Sequence, residues 1–297
     1  MLGFDLAKVF DIYNPYLYDK EQLDITDKDA VFDVFEQIEP DIVINAAAYT
    51  DVEDSENNAE TAMLINGEAV GNLAEAARER GAVLVHYSTD YVFDGNKEEG
   101  YSEDDRPATE PLNVYGASKL LGEKILQENM KNFYLIRTSW LYGQNGKNFV
   151  ETVLRLAENG SFSTRLGETG SPRLASGETG EMKIKNDEHG KPTYTKDLAQ
   201  ATRVLVEEQL PFGIYHLVNE NPTTWYDFAK KIVELWGQKQ NWTKADYPKV
   251  IPITSADYPT KAERPKYSSL NNTKFVQLRP WPEALEEYLS NRSEKYL

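Results

Sequence analysis

The amino-acid sequence predicts an α/β protein built on a doubly wound parallel sheet, with a smaller α/β domain attached. Three observations carry that expectation. Short, almost wholly apolar runs recur at Asp41–Ala46, Ala82–Tyr87 and Phe133–Thr138, as strands covered on both faces require. Helical patterns separate them, and strands alternating with helices imply parallel pairing. After about Asn159 the alternation gives way to shorter, mixed segments.

Taken in order, Met1–Phe10 reads as a helix and Tyr16–Asp19 as a short strand. Thr26 is placed to cap a helix from about Asp27 to Ile38, with Val31, Val34, Phe35 and Ile38 on one stripe and Pro40 closing it. A second helix is expected over about Ala59–Arg80, stopping at Gly81, and a third from about Leu112 to Asn129. In the second half, Lys183–Lys185, Gly213–Val218 and Val250–Ile253 read as strands. Lys196–Glu208, Thr224–Trp236 and Pro282–Leu289 read as helices, with Thr224 capping and Asp227 three residues on. The first domain is expected over 1–158, with 190–212 returning to it; the second takes 159–189 and 213–297.

Bulk properties narrow the chemistry. With 297 residues and a net charge of -17, the chain has room for a real core, and its acidic surface disfavours nucleic acid and anionic membrane. It has no cysteine, so disulfides and thiolate metal sites are excluded. The three histidines are scattered, and His86 and His216 lie inside apolar runs, reading as core or strand residues. No metal site is expected. There is no signal-like leader and no apolar run approaching the ~18 residues of a membrane span, so a cytoplasmic location is expected.

The chemistry-bearing pattern is Ser88-Thr89-Asp90 at a strand end, followed by Tyr115-Gly-Ala-Ser-Lys119, with the tyrosine 26 residues after Thr89. On a helix Tyr115 and Lys119 are one turn apart and share a face. An ammonium beside a phenol favours phenolate, lowering a pKa that starts near ~10 toward working pH. A hydroxyl, a tuned phenol and an ammonium are the parts needed to hand a proton to a carbonyl receiving a hydride. The spacing alone is weak, since it recurs at Tyr16/Lys20 and Tyr226/Lys230 in a chain of 18 tyrosines.

Longer stretches select the pair. Leu23–Asp27, Asn45-Ala-Ala-Ala-Tyr-Thr50, His86–Gly95, Pro111–Lys119, Arg137-Thr-Ser-Trp-Leu-Tyr142, Gly190–Asp197 and Gly213–Asn219 resemble the extended short-chain dehydrogenase/reductases. Within them the Ser-Thr-Asp-Tyr-Val-Phe and Arg-Thr-Ser-Trp runs are similar to the dTDP-4-dehydrorhamnose reductase group. The resemblance covers most of the chain and implies a Rossmann-like dinucleotide-binding domain followed by a substrate domain.

It implies catalysis by Thr89, Tyr115 and Lys119: Tyr115 protonating a C4 oxygen as NADPH (or NADH) delivers hydride, Thr89 bonding that oxygen, and Lys119 holding the nicotinamide ribose. Thr89, Asp90 and Trp140 match substrate-contacting positions. Gly3, Asp24, Ile25, Ala48, Tyr49, Thr50 and Tyr87 match cofactor positions beside Tyr115 and Lys119. Asp19 is placed to meet the adenosine ribose, with Lys20 beside it. The implied partner is a small nucleotide-sugar substrate, on a monomer or homodimer.

Two departures stand out. The family's first strand and Gly-rich turn do not precede the first helix; Gly3 would be the last glycine of that turn. A start set at an internal methionine is expected, with loss of cofactor binding as the alternative. In the family fold the missing strand lies mid-sheet, so two bare edges and a slot are expected. Residues 161–180 carry a near-duplicate, Arg165–Gly170 against Arg173–Gly180, and read as a surface insertion, with a lid over the site as the alternative. A reductase or epimerase acting on another nucleotide sugar, or a non-catalytic sugar-nucleotide-binding homologue, stay open as alternatives.

Overall fold

The computed structural model describes residues 1–159, 174–176 and 181–292. The first part runs α1 (Leu2–Val9), α2 (Lys28–Ile38), β1 (Ile42–Asn45), α3 (Val52–Ser55), α4 (Ala59–Met63), α5 (Ala69–Arg80), β2 (Val83–Thr89), α6 (Val114–Asn129) and β3 (Phe133–Thr138). There follow β4 (Leu141–Tyr142), α7 (Phe149–Asn159), β5 (Leu174–Ser176), β6 (Glu181–Lys185), β7 (His189–Gly190), β8 (Thr193–Tyr194) and α8 (Thr195–Glu207). The last elements are β9 (Gly213–His216), β10 (Thr223–Thr224), α9 (Trp225–Lys239), β11 (Lys249–Ile253) and α10 (Trp281–Ser290).

The main sheet has the order β1-β2-β3-β9, and every pairing in it is parallel. Alternate residues of each strand face opposite layers. Leu84 and Leu135 face Val31, Leu73 and Leu126 of α2, α5 and α6. Val85, Ile136 and Tyr215 face Leu6 of α1 and Leu198 and Leu205 of α8. The result is a three-layer α/β/α domain, which explains why these strands are apolar on both faces. The sequence reading assigns Gly213–Val218 to the second domain, whereas β9 is the fourth strand of the main sheet. An apolar run shows that a strand is covered, not which sheet covers it.

The second part packs α7, α9 and α10 around a three-stranded sheet of order β11-β6-β5. Its core is aromatic, with Phe149, Trp225, Phe228, Trp281 and Tyr288 buried together. Apart from β5, paired antiparallel with β6, the expected 161–180 insertion lies outside the described residues.

Several elements differ from the sequence reading. Asp27, not Thr26, caps α2: its carboxylate accepts from the Ala30 amide at 3.1 Å, while Thr26 bonds Asp24. Either residue type caps well, so adjacent candidates are not separable from sequence. The α4–α5 stretch is one continuous run interrupted by a π-turn at Leu64–Glu68. Tyr16–Asp19 is not a strand; Tyr16, Leu17 and Tyr18 are 73%, 61% and 44% exposed in irregular chain. A strand is half of a hydrogen-bonded ladder, and no described segment pairs there. The two bare edges expected mid-sheet are instead a single one, the outer edge of β1.

Candidate active site

Parallel sheets present ligand sites at the carboxyl ends of their strands, and here those ends carry Ala46–Thr50 after β1, Ser88–Asp90 closing β2 and Thr138–Trp140 closing β3. Ser88 Oγ and Thr138 Oγ1, on neighbouring strands, are buried with no hydrogen-bond partner among the described residues. Buried hydroxyls are rarely left unpaired, so these ends are built to receive a polar ligand.

α6 brings the phenol and ammonium to this edge. Asn113 caps it, accepting from the Gly116 amide at 2.8 Å and donating to the Glu263 carbonyl at 2.7 Å. Gly116 is required for the approach: a Cβ there would stand 2.3 Å from the Tyr91 carbonyl oxygen, a backbone atom that cannot yield. Tyr91 in turn meets the Tyr115 ring edge-on, centroids 6.0 Å apart. Thr89 donates to Asp90 at 3.0 Å and accepts from the Tyr91 amide at 3.2 Å. Thr89, Asp90 and Lys119 are buried and Tyr115 is half-buried, so Tyr115 is the member of the set that an incoming ligand meets first.

The electrostatics differ from the expectation at one point. Burial and then Asp90 push the Tyr115 phenol up from its ordinary value, and the hydrogen bond with Thr89 draws it down. Lys119 does not tune the phenol in this state, because its nitrogen is turned to His86, 3.4 Å from Nε2. Burial lowers Lys119 to about 8, against the opposing pull of Glu123 one turn on. Behind Lys119, Glu123 takes two bonds from Arg137, Nε to Oε1 at 2.9 Å and Nη2 to Oε2 at 2.7 Å. Arg137 also meets His216 Nε2 at 3.5 Å. Glu103 accepts from the His216 amide and from Thr273, closing a buried polar chain under the site.

The cofactor candidates fall into two groups. Gly3, in the first turn of α1, is exposed beside the exposed Ala46–Ala48 run; a Cβ on Gly3 would sit 4.0 Å from Ala46 Cβ. These small residues leave open space beside the first turn of α1. Tyr49 is tied down by Asn66, whose side chain accepts from its amide at 2.8 Å and donates to its carbonyl at 2.9 Å. The Tyr49 hydroxyl donates to Asp54, and Thr50 is exposed beside it. Asn66 also donates to Ser118 on α6 at 3.0 Å, so the π-turn clamps this loop to α6.

The remaining candidates stand apart from that cluster. Asp19 uses its carboxylate on the amides of Glu21 and Gln22, and Lys20 beside it is exposed. Asp24 accepts from Thr26, which lowers its pKa, and Ile25 packs on the α2 core. Tyr87 points to the opposite face of the sheet from His86, with its hydroxyl 2.8 Å from Thr202 on α8.

Trp140 has a left-handed backbone, φ 47°, and stacks on Trp225 with centroids 3.6 Å apart. Gly190 abuts its indole, so one face of Trp140 anchors the second part while the residue remains half-buried at the strand end. The sequence reading missed Asn66, Glu123 and Arg137. The Tyr115, Lys119, Glu123 spacing of four was the available signal for Glu123. No group of three or more potential metal ligands occurs among the described residues, and no described helix is long and apolar enough to cross a membrane.

Known proteins supply the family. The model of the RmlD substrate binding domain family matches residues 1–164 and 172–293. The dTDP-4-dehydrorhamnose reductase of Aggregatibacter actinomycetemcomitans is 38% identical over 96% of this chain and 94% of its own length. The spore coat polysaccharide biosynthesis protein SpsK of Bacillus subtilis is also 38% identical, over 92% of this chain and 87% of its own. Among solved structures, the dTDP-4-dehydrorhamnose reductase of Bacillus anthracis, in complex with NADP, superposes with a TM-score of 0.84 at 35% identity, covering 98% of this chain and 95% of that one. The Thermus thermophilus UDP-glucose 4-epimerase complex with NAD, at 18% identity and a TM-score of 0.70, shares the fold. With its fold and its sequence matched across nearly the whole chain, this protein belongs to the dTDP-4-dehydrorhamnose reductase family of extended short-chain dehydrogenase/reductases.

Proposed function

We propose that this chain reduces the C4 ketone of dTDP-4-dehydro-L-rhamnose to dTDP-L-rhamnose with NADPH, in the cytoplasm, as a monomer or homodimer. The observation that carries the reading is the convergence of Thr89, Asp90, Tyr115 and Lys119 at the carboxyl edge of the sheet, where the strand ends also hold two buried hydroxyls with no hydrogen-bond partner among the described residues. NADP in the Bacillus anthracis relative supports the cofactor. The open, small-residue surface at Gly3 and Ala46–Ala48 supports a cofactor flank there, and in this reading Lys119 would hold the nicotinamide ribose.

NADPH, when bound, supplies the hydride. The chain supplies the rest. Tyr115 donates its phenolic proton to the C4 oxygen as that oxygen gains charge, and the resulting phenolate is stabilised by the Lys119 ammonium. Thr89 donates a hydrogen bond to the same oxygen. Asp90 holds Thr89 in place; by raising the Tyr115 phenol it also keeps the proton on the acid until substrate arrives. Trp140, steadied by Trp225, presents an aromatic edge for the sugar nucleotide. The test is NADPH consumption on addition of dTDP-4-dehydro-L-rhamnose to the purified chain. Formation of dTDP-L-rhamnose in equal amount supports the reading, and its absence under saturating cofactor refutes it.

A further inference from the structure

His86 is fully buried, and nothing in the proton-transfer step above uses it. Burial, with Lys119 adding to it, holds this imidazole well below its ordinary value, so it is neutral and carries one N–H. Which nitrogen carries the proton follows from the neighbours. Asn45 Oδ1 accepts from the Ala47 amide at 3.1 Å, which fixes the orientation of the side-chain amide. Asn45 Nδ2 therefore faces His86 Nδ1, 3.1 Å away, and donates to it. Nδ1 must then be the lone-pair nitrogen, and the proton sits on Nε2, 3.4 Å from Lys119 Nζ.

An Nε2–H suits an amine lone pair and opposes an ammonium. We propose that His86, locked as its Nε2–H tautomer by Asn45 and the Ala47 amide, is a positioning residue that restrains the proton affinity of Lys119. The other charged group acting on Lys119 is Glu123 of α6, whose charge is itself taken up by Arg137 of β3, while Asp90 acts on Tyr115. To gain a full set of acceptors, the ammonium must displace His86 or turn the Asn45 amide, breaking the bond to Ala47. Ala47 lies in the exposed run beside Gly3, so seating a ligand on that loop is communicated through Asn45 and His86 to the catalytic lysine. The proposal deepens the reductase reading and rests on it for its kinetic consequence, not for the tautomer itself.

The test has two arms. The chain contains three histidines, so isotope-labelled histidine in the full-length protein resolves each ring by nitrogen–proton correlation, and His86→Gln assigns the signal. The expected result is a neutral ring protonated on Nε2 from about pH 6 to about pH 8; a ring protonated on Nδ1 overturns the proposal, whether or not the chain turns over substrate. In turnover, the alkaline limb of the pH profile reports loss of the Lys119 ammonium. His86→Gln offers that ammonium an amide oxygen. Asn45→Asp accepts from both Ala47 and Nδ1–H, freeing Nε2 as an acceptor. Both are expected to shift the limb upward by about one pH unit. An unmoved limb in both variants refutes the coupling.

Discussion

Replacing Glu123 by Gln tests how α6 is held against the sheet. The Arg137–Glu123 pair is 1% and 0% exposed and doubly bonded. Removing one charge of such a pair strands the other in a low-dielectric interior, at a typical cost of ~3–5 kcal/mol. Two features place the cost at the lower end. The guanidinium keeps a weak contact with His216 at 3.5 Å, and its carbon lies 5.0 Å from the Phe93 ring centroid. At roughly 2 cal/mol/K per residue of unfolding entropy, about 3 kcal/mol lowers the melting temperature of this chain by about 5 °C. Arg137→Met alone strands the carboxylate instead and is expected to cost a similar amount. The double variant removes both charges and should return to within about 1–2 kcal/mol of wild type, since a buried pair exchanged for neutral groups is often near neutral. Urea unfolding of the four proteins, with unchanged m-values, measures the cycle. A loss below about 1 kcal/mol in Glu123→Gln, or a double variant as unstable as the sum of the singles, refutes the reasoning.

Three further outcomes are expected. Gly116→Ala drives a Cβ against the Tyr91 carbonyl, displacing α6 from Thr89; a loss of about 1–3 kcal/mol with a fall in kcat is expected, read by unfolding and turnover together. Gly190→Ala places a Cβ 2.5 Å from the Trp140 indole, so KM for the nucleotide sugar should rise while NADPH affinity is retained, measured by initial rates and fluorescence titration. Burial, with Arg137 beside it and Glu103 opposing, depresses His216 to about 4. Because the folded value lies below the unfolded ~6.5, its contribution of about 3 kcal/mol is complete above pH 6.5 and lost as pH falls toward 4. Unfolding free energy against pH should therefore be flatter across that window in His216→Asn than in wild type.

Much of this architecture was legible because its signals are local. Phe133–Thr138 matches its strand to the residue, since continuous burial makes a continuous apolar run, and Gly81 ends α5 in the left-handed conformation its residue type allows. Other features depend on partners that no local pattern names. Tyr16–Asp19 has strand-like residues but no neighbour to complete a ladder. The π-turn around Asn66 is hidden inside an unbroken helical pattern, although it fastens Tyr49 to Ser118. The Tyr115–Lys119 spacing located both candidate groups on one helix but misjudged their coupling, because the lysine nitrogen is engaged by His86, a residue that reads as an ordinary core histidine.

The most direct test of the account is NADPH oxidation by wild type and Tyr115→Phe, each supplied with dTDP-4-dehydro-L-rhamnose. The account predicts stoichiometric dTDP-L-rhamnose from wild type and a loss of at least about a hundredfold in kcat in the variant, with cofactor affinity nearly unchanged. Wild-type-like turnover in Tyr115→Phe would contradict it.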